Sequence, residues 1–228
     1  MIGTIVNIGA VLAGSTVGIL FRGKFPEKIQ TSVIHGISLA VLLIGFQMAF
    51  SIEKSEDILL VIFSLVIGAV IGELLEIETK LNNFGQGIKN KIGGKDDLFV
   101  QGFVQASLIY CVGAMAIMGS IQDGLNGDPS ILFTKSLLDG TTAVAFAAST
   151  GIGVAFSVIP IFIYQGSITI LAGWAEAFLT QDMIRIMTST GGLLIAAIGF
   201  NMLGKTKIKT GNLLPSLAVA IILAAFVF

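Results

Sequence analysis

Between Gly140 and Ala175 the chain carries no charged side chain. As one helix this stretch would extend ~54 Å, whereas the hydrocarbon core of a bilayer is only ~30 Å thick. It must therefore cross a membrane, turn, and enter again. The reversal is expected at Gly151-Ile152-Gly153, because glycine tolerates backbone conformations that bulkier residues resist. Composition agrees, since 54% of the 228 residues are apolar, only 12% are charged, and mean hydropathy is +0.94. That charged share is about half of the value for soluble domains. The chain reads as an all-α polytopic membrane protein, a single transmembrane domain over residues 1–228 whose first partner is the lipid bilayer. A net charge of -1 argues against a nucleic-acid partner, and the single Cys111 excludes a disulfide within the chain.

Apolar runs predict about eight transmembrane helices near 3–21, 30–51, 58–75, 98–119, 131–151, 154–175, 183–204 and 211–228. The first lacks a basic region ahead of it and reads as a retained span. Residues 76–97 are too polar to cross. There Leu81, Phe84, Ile88 and Ile92 recur every three or four positions among Lys80, Lys89 and Lys91. This pattern predicts a short amphipathic helix, lying on the anionic cytoplasmic leaflet or packed on the protein itself.

Basic residues in short loops orient the spans. Arg22, Lys24 and Lys28 place the first loop in the cytoplasm, Lys80 to Lys95 place the third there, and Lys205, Lys207 and Lys209 the seventh. The second loop is acidic (Glu53, Glu56, Asp57), and the fourth has Asp123 and Asp128 without a basic residue. Eight spans with both termini outside satisfy every loop. A seven-span arrangement, with part of 131–175 re-entrant, would put the Lys205–Lys209 loop on the wrong side.

Two spans resemble each other. Leu39–Met48 reads LAVLLIGFQM and Leu193–Met202 reads LLIAAIGFNM, which aligns Gly45 with Gly199, Phe46 with Phe200 and Gln47 with Asn201. The charge argument makes these helices run in opposite directions, so repeat-like halves at about 30–77 and 183–228 would be inverted copies. Inverted repeats are a common architecture of secondary transporters. The competing explanation is that IGF-polar-Met is simply a good way to end a membrane helix.

Asp139 lies near the middle of its span, where a charge costs at least ~2.5–3.5 kcal/mol. Lys135, one turn earlier on the same face, is the obvious partner. The pair is either structural, or Asp139 binds a cation or exchanges a proton. Pro160 and Gln165-Gly166-Ser167 sit in the next span, with Thr142 nearby. Freed carbonyls and a Gln amide would make an oxygen-rich lining there, unless Pro160 only kinks the helix. Gln101 and Gln105 share one face of the fourth span. They serve either a solute or interhelical hydrogen bonds. Helix breaks or hinges are expected at Gly140, Gly151, Gly153, Pro160 and Gly166. Asp123 and Asp128 are candidates to attract cations to an outer vestibule. Gly3, Asn7, Ala10, Gly14 and Gly18 form a stripe of small residues that suits close helix packing, within one chain or in a homodimer. The lone His35 is a poor metal site, so no metal and no cofactor are expected. Neither a nucleophile elbow nor an HExxH or Walker motif is present, and no enzymatic activity is expected.

The segments GTIVNIGAVLAGSTVG (3–18), GAMAIMGSIQDGLNGD (113–128), KSLLDG (135–140), YQGSITILAG (164–173) and GNLLPSL (211–217) together resemble the YqgA/YdfK-type bacterial integral membrane proteins, a family known as a domain of unknown function. The resemblance spans the whole chain. It implies a bacterial cytoplasmic (inner) membrane location and a general role in transport, and it supplies no substrate, cofactor or catalytic residue. The expected function is a secondary transporter of a small solute or ion, working by alternating access around a midplane polar site. An ion or solute channel and a non-transporting membrane scaffold or sensor are the alternatives.

Overall fold

A computed structural model describes residues 1–22, 27–91, 98–204 and 206–227. Lys24, Ile92, Lys95 and Lys205, which contribute to the orientation and amphipathic patterns, lie outside the described residues. Regular structure among the described residues is entirely helical: α1 (Ile2–Phe21), α2 (Glu27–Ala49), α3 (Ser55–Leu74), α4 (Ile77–Lys91), α5 (Phe99–Cys111), α6 (Ala114–Leu125), α7 (Ser130–Thr150), α8 (Gly153–Phe156), α9 (Val158–Ile170), α10 (Ala172–Phe178), α11 (Gln181–Met202) and α12 (Pro215–Val227), the last preceded by a 3-10 turn at Thr210–Leu213. The chain is an all-α polytopic membrane protein. Six stretches among the described residues are long and apolar enough to cross a bilayer, and α5 with α6, bent by 61°, supply a seventh if they form one span. The apolar part of α2, Ile34–Ala49, is shorter, so helix length supports six or seven of the eight expected spans.

The charge-free stretch is interrupted where glycines were expected to permit it. Helix α7 ends at Thr150, Gly151 takes φ 83°, and α8 starts at Gly153. The other expected breaks are corrected. Gly140 and Gly166 lie inside uninterrupted helices, and Pro160 occupies the first turn of α9, where its missing N–H would have lacked an intrahelical partner anyway. The break that sequence reasoning did not anticipate falls at Val112 (ψ 121°) and Gly113 (φ 143°), between α5 and α6.

The described residues form two compact units, one of Met1–Ile34 with Asn82–Phe178, the other of His35–Leu81 with Leu179–Phe228. In the first unit α1 and α7 run parallel in close contact along their length. Gly3 faces Leu132, Gly14 faces the Gly140 carbonyl and Ala143, and Gly18 faces the Val144 carbonyl and Ala147. A Cβ at Gly14 or Gly18 would overlap facing backbone, so the small-residue stripe of α1 serves this packing. Helices α5 and α6 run antiparallel to α7: Gly102 meets Thr150, Tyr110 lies beside Thr142, and Gly119 meets Leu132. The residue numbers of these facing pairs total 251 or 252, so the register continues across the break and sets Val112-Gly113 opposite Asp139-Gly140. Within this unit α4 touches α5 at Gly85, while Phe84 on its apolar face stays 54% exposed. A Cβ at Gly85 would lie 3.2 Å from Phe103 and Val100, and the Phe84 ring is 6.0 Å from that of Phe103.

The second unit contains both repeat-like segments. Helices α2 and α11 cross antiparallel, with Gly45 on Ala196 and Gly192, and Gly199 on Leu42. The Phe46 and Phe200 rings meet edge to face at 6.3 Å. Helices α3 and α12 are also antiparallel, with Gly68 against Ser216 and Gly72 against Asn212. At one end of α3 the buried Asp57 accepts from the Glu53 and Lys54 N–H groups and pairs with Arg185 of α11 at 3.2 Å. At its other end Glu73 accepts from Lys209 and Asn212.

Candidate functional site

All the helices that build the site belong to the first unit. Lys135 and Asp139, one turn apart on α7, are both buried and form a direct ion pair. The parallel register of α1 brings Asn7 between Asp139 and Gln165. Its Nδ2 donates to Asp139 Oδ2 at 3.0 Å and lies 3.4 Å from Gln165 Oε1 on α9. Asn7 and Gln165 are fully buried (0% exposed). The Lys135 ammonium sits 6.0 Å from the centre of the Tyr110 ring on α5, at the edge of cation–π range. The Tyr110 hydroxyl lies beside Thr142 without a well-formed hydrogen bond. Thr142 itself donates back to the carbonyls of Leu138 and Asp139.

Such an arrangement is costly to build. Two charges leave water, and their mutual attraction compensates only if the remaining lone pairs and protons are satisfied. Here they are not all satisfied: Asn7 Oδ1, Gln165 Nε2 and the Tyr110 hydroxyl are buried and have no hydrogen-bond partner among the described residues. The α5–α6 break lies at the same level, so backbone groups released from the helical ladder adjoin the pair. A cluster of this kind can bind and release a polar ligand, because groups that lack internal partners gain by meeting one.

A family model described as "Protein of unknown function (DUF554)" matches residues 2–225, nearly the whole chain. The chain belongs to the DUF554 family. It is 33% identical over 220 residues to the uncharacterized membrane protein YdfK of Bacillus subtilis (strain 168), covering 96% of this chain and 93% of that one. It is 32% identical over 234 residues to the uncharacterized protein YqgA of Escherichia coli (strain K12), covering 99% of this chain and 97% of that one. No solved structure matches.

Of the residues singled out in the sequence of this DUF554 member, Lys135, Asp139, Gln165 and Thr142 come together. Three do not. Gln101 is exposed, Gln105 falls opposite Ala147 in the α5–α7 register, two turns from Asp139, and the exposed Ser167 donates to the Tyr164 carbonyl at 2.9 Å. Asp123 is not a vestibule residue but a buried one. It accepts from the Gly3 N–H at 3.0 Å and pairs with the Met1 amine, which holds the start of α1 against α6. Asp128 accepts from Ser130 and Gln122 and caps the start of α7, and these bonds, Ser130 first, hold its carboxyl below the usual range. Sequence reasoning missed Asn7 and Tyr110. Asn7 is the one amide in a stripe of glycine and alanine, a signal that was available, whereas nothing in the apolar run around Tyr110 set it apart.

Proposed function

We propose that this protein is a secondary transporter of a small solute or ion across the bacterial cytoplasmic membrane, working by alternating access around Asp139. The observation that carries the reading is the buried Lys135–Asp139 pair opposite a broken helix, beside two buried amides that each keep one polar atom without a partner. Discontinuous helices at a polar midplane site are how transporter folds make irregular backbone tolerable in a membrane. Helix directions agree with an eight-span topology, whose outward-facing termini rest on the loop charges. That topology requires α1 and α7 to run parallel, and α2 with α11 and α3 with α12 to run antiparallel, as their glycine contacts do. The inverted repeat is supported by one further relation. A shift of 154 positions converts the contact Gly45 with Ala196 into the contact Gly199 with Leu42, and pairs Phe46 with Phe200, the ring it touches.

Accessibility tests this without knowledge of the solute. In a Cys111→Ser background, Thr4→Cys lies on the outer side of Asn7 and Thr142→Cys on the inner side of Asp139. A membrane-impermeant methanethiosulfonate is expected to label the first from the outer face and the second from the cytoplasmic face. Glu56→Cys and Lys207→Cys orient the membrane by labelling from opposite sides. If neither site position reacts from either face, the cluster is sealed and the protein is a scaffold instead. If Glu56→Cys and Lys207→Cys label from the same side, the inverted arrangement is wrong.

A further inference from the structure

Resting on the transporter reading, we infer the chemical class of the solute: the Asp139 site takes a small zwitterion, a molecule with a carboxylate and an ammonium group a few bonds apart. Three observations converge on it.

The first is charge. The cluster holds one cation, Lys135, and one anion, Asp139, beside the neutral side chains Asn7, Gln165, Tyr110 and Thr142. A lone cation would compete with Lys135 for Asp139, a lone anion would compete with Asp139 for Lys135, and either would leave an uncompensated buried charge. A zwitterion adds no net charge and offers one end to each.

The second is the helix break. At Val112-Gly113 the C-terminus of α5 and the N-terminus of the 12-residue α6 come together opposite Asp139. Apart from the bonds Val112 N–H to the Leu108 carbonyl and Ala116 N–H to the Gly113 carbonyl, the last carbonyls of α5 and the first N–H groups of α6 stand outside the helical ladders. They carry partial charges of opposite sign, which again suits a ligand with two unlike ends.

The third is the pair of amides. The unpartnered Gln165 Nε2 is a donor suited to a carboxylate, and the unpartnered Asn7 Oδ1 is an acceptor suited to an ammonium. Asn7 donates to Asp139 and reaches Gln165, so both free amide atoms lie in one cluster with the ion pair.

Thermal unfolding of the full-length protein in detergent tests the class, with glycine, L-alanine, acetamide, sodium acetate and methylammonium chloride compared at matched concentration and ionic strength. Glycine or L-alanine is expected to raise the melting temperature saturably, while acetate, methylammonium and acetamide leave it unchanged. Gln165→Leu should weaken the half-saturation point by about tenfold or more, the loss that follows when a hydrogen bond to a charged group is removed. Gln165→Glu, should Gln165→Leu fail to fold, is expected to lose the response to the zwitterion and gain one to methylammonium. Stabilisation by acetate or methylammonium alone, or by none of the amino acids, overturns the inference. An unchanged amino-acid response in a folded Gln165 variant overturns the placement. Labelling of both site cysteines together with a methylammonium response would keep the transporter and discard the zwitterion.

Discussion

Gly45 and Gly36 lie on the same helix and are expected to respond to alanine in opposite directions. Nothing lies within 4 Å of the Cβ that Gly36 lacks, so Gly36→Ala should gain up to about 1 kcal/mol of helix propensity. At Gly45 the new Cβ would fall 2.5 Å from the Ala196 nitrogen, 2.8 Å from the Gly192 carbonyl oxygen and 2.9 Å from the Ala196 Cα. These are backbone atoms, which cannot rotate away. Restoring an ordinary 3.4 Å contact requires α2 and α11 to separate by about 0.9 Å, and a gap of that size forfeits between a quarter and a half of each dispersion contact. Some forty such contacts of ~0.15 kcal/mol, roughly what one well-packed side chain makes, then lose about 1.5–3 kcal/mol, in line with the ~1–3 kcal/mol typical of overpacking. Net of the propensity gain, Gly45→Ala should destabilise by roughly 0.5–2 kcal/mol. Reversible unfolding of both variants in mixed detergent and dodecyl sulfate micelles reads the difference. Equal stabilities would refute the close α2–α11 crossing, and with it the contact symmetry cited for the repeat.

Two further outcomes are expected. Lys135→Met should cost about 3–5 kcal/mol by leaving Asp139 charged and unpaired in the interior, and adding Asp139→Asn should recover most of it in the same unfolding assay; if the double variant is as unstable as the single one, the pair is not the compensating element. Asp128, whose carboxyl is held below its ordinary range by Ser130 and Gln122, contributes stability that is present above the unfolded carboxylate value of about 3.9 and is lost as pH falls through the lower folded value. Its removal in Asp128→Asn should flatten the acid side of a melting-temperature profile, and an unaltered profile would show that the cap does not couple to folding.

The parts of the fold that sequence made legible are those where one residue type dominates a physical cost. A long apolar run cannot remain in water, a carboxylate within a membrane span needs a cation one turn away, and the spacing of Lys135 and Asp139 supplies it. The helical part of the amphipathic segment, Ile77–Lys91, was legible from its three-and-four spacing, though only the structure showed that Gly85 meets Phe103 and Val100. Illegible features depend on which backbone comes opposite which. Gly140 looked like a hinge, but its lack of a Cβ lets Ala10 of α1 approach. Cys111-Val112-Gly113 looked like unbroken span, because an interruption at one valine and one glycine within an apolar run leaves almost no trace in composition. Gln105 shares a helix face with Gln101 and seemed equally placed for solute, yet the α5–α7 register sets it two turns away.

The parallel pairing of α1 with α7 has a consequence for synthesis. Gly3 finds Leu132 only after 129 further positions have been made, which at cellular elongation rates is a delay of about 6–26 s. Throughout that interval α1 resides in the lipid with the Asn7 amide lacking both Asp139 and Gln165, while α2 and α3, which belong mainly to the other unit, emerge between the two partners. The first helix is thus a ward of the insertion machinery until the middle of the chain arrives, and the glycine stripe that later locks it in place also makes it, for those seconds, an attractive partner for any other small-residue helix nearby.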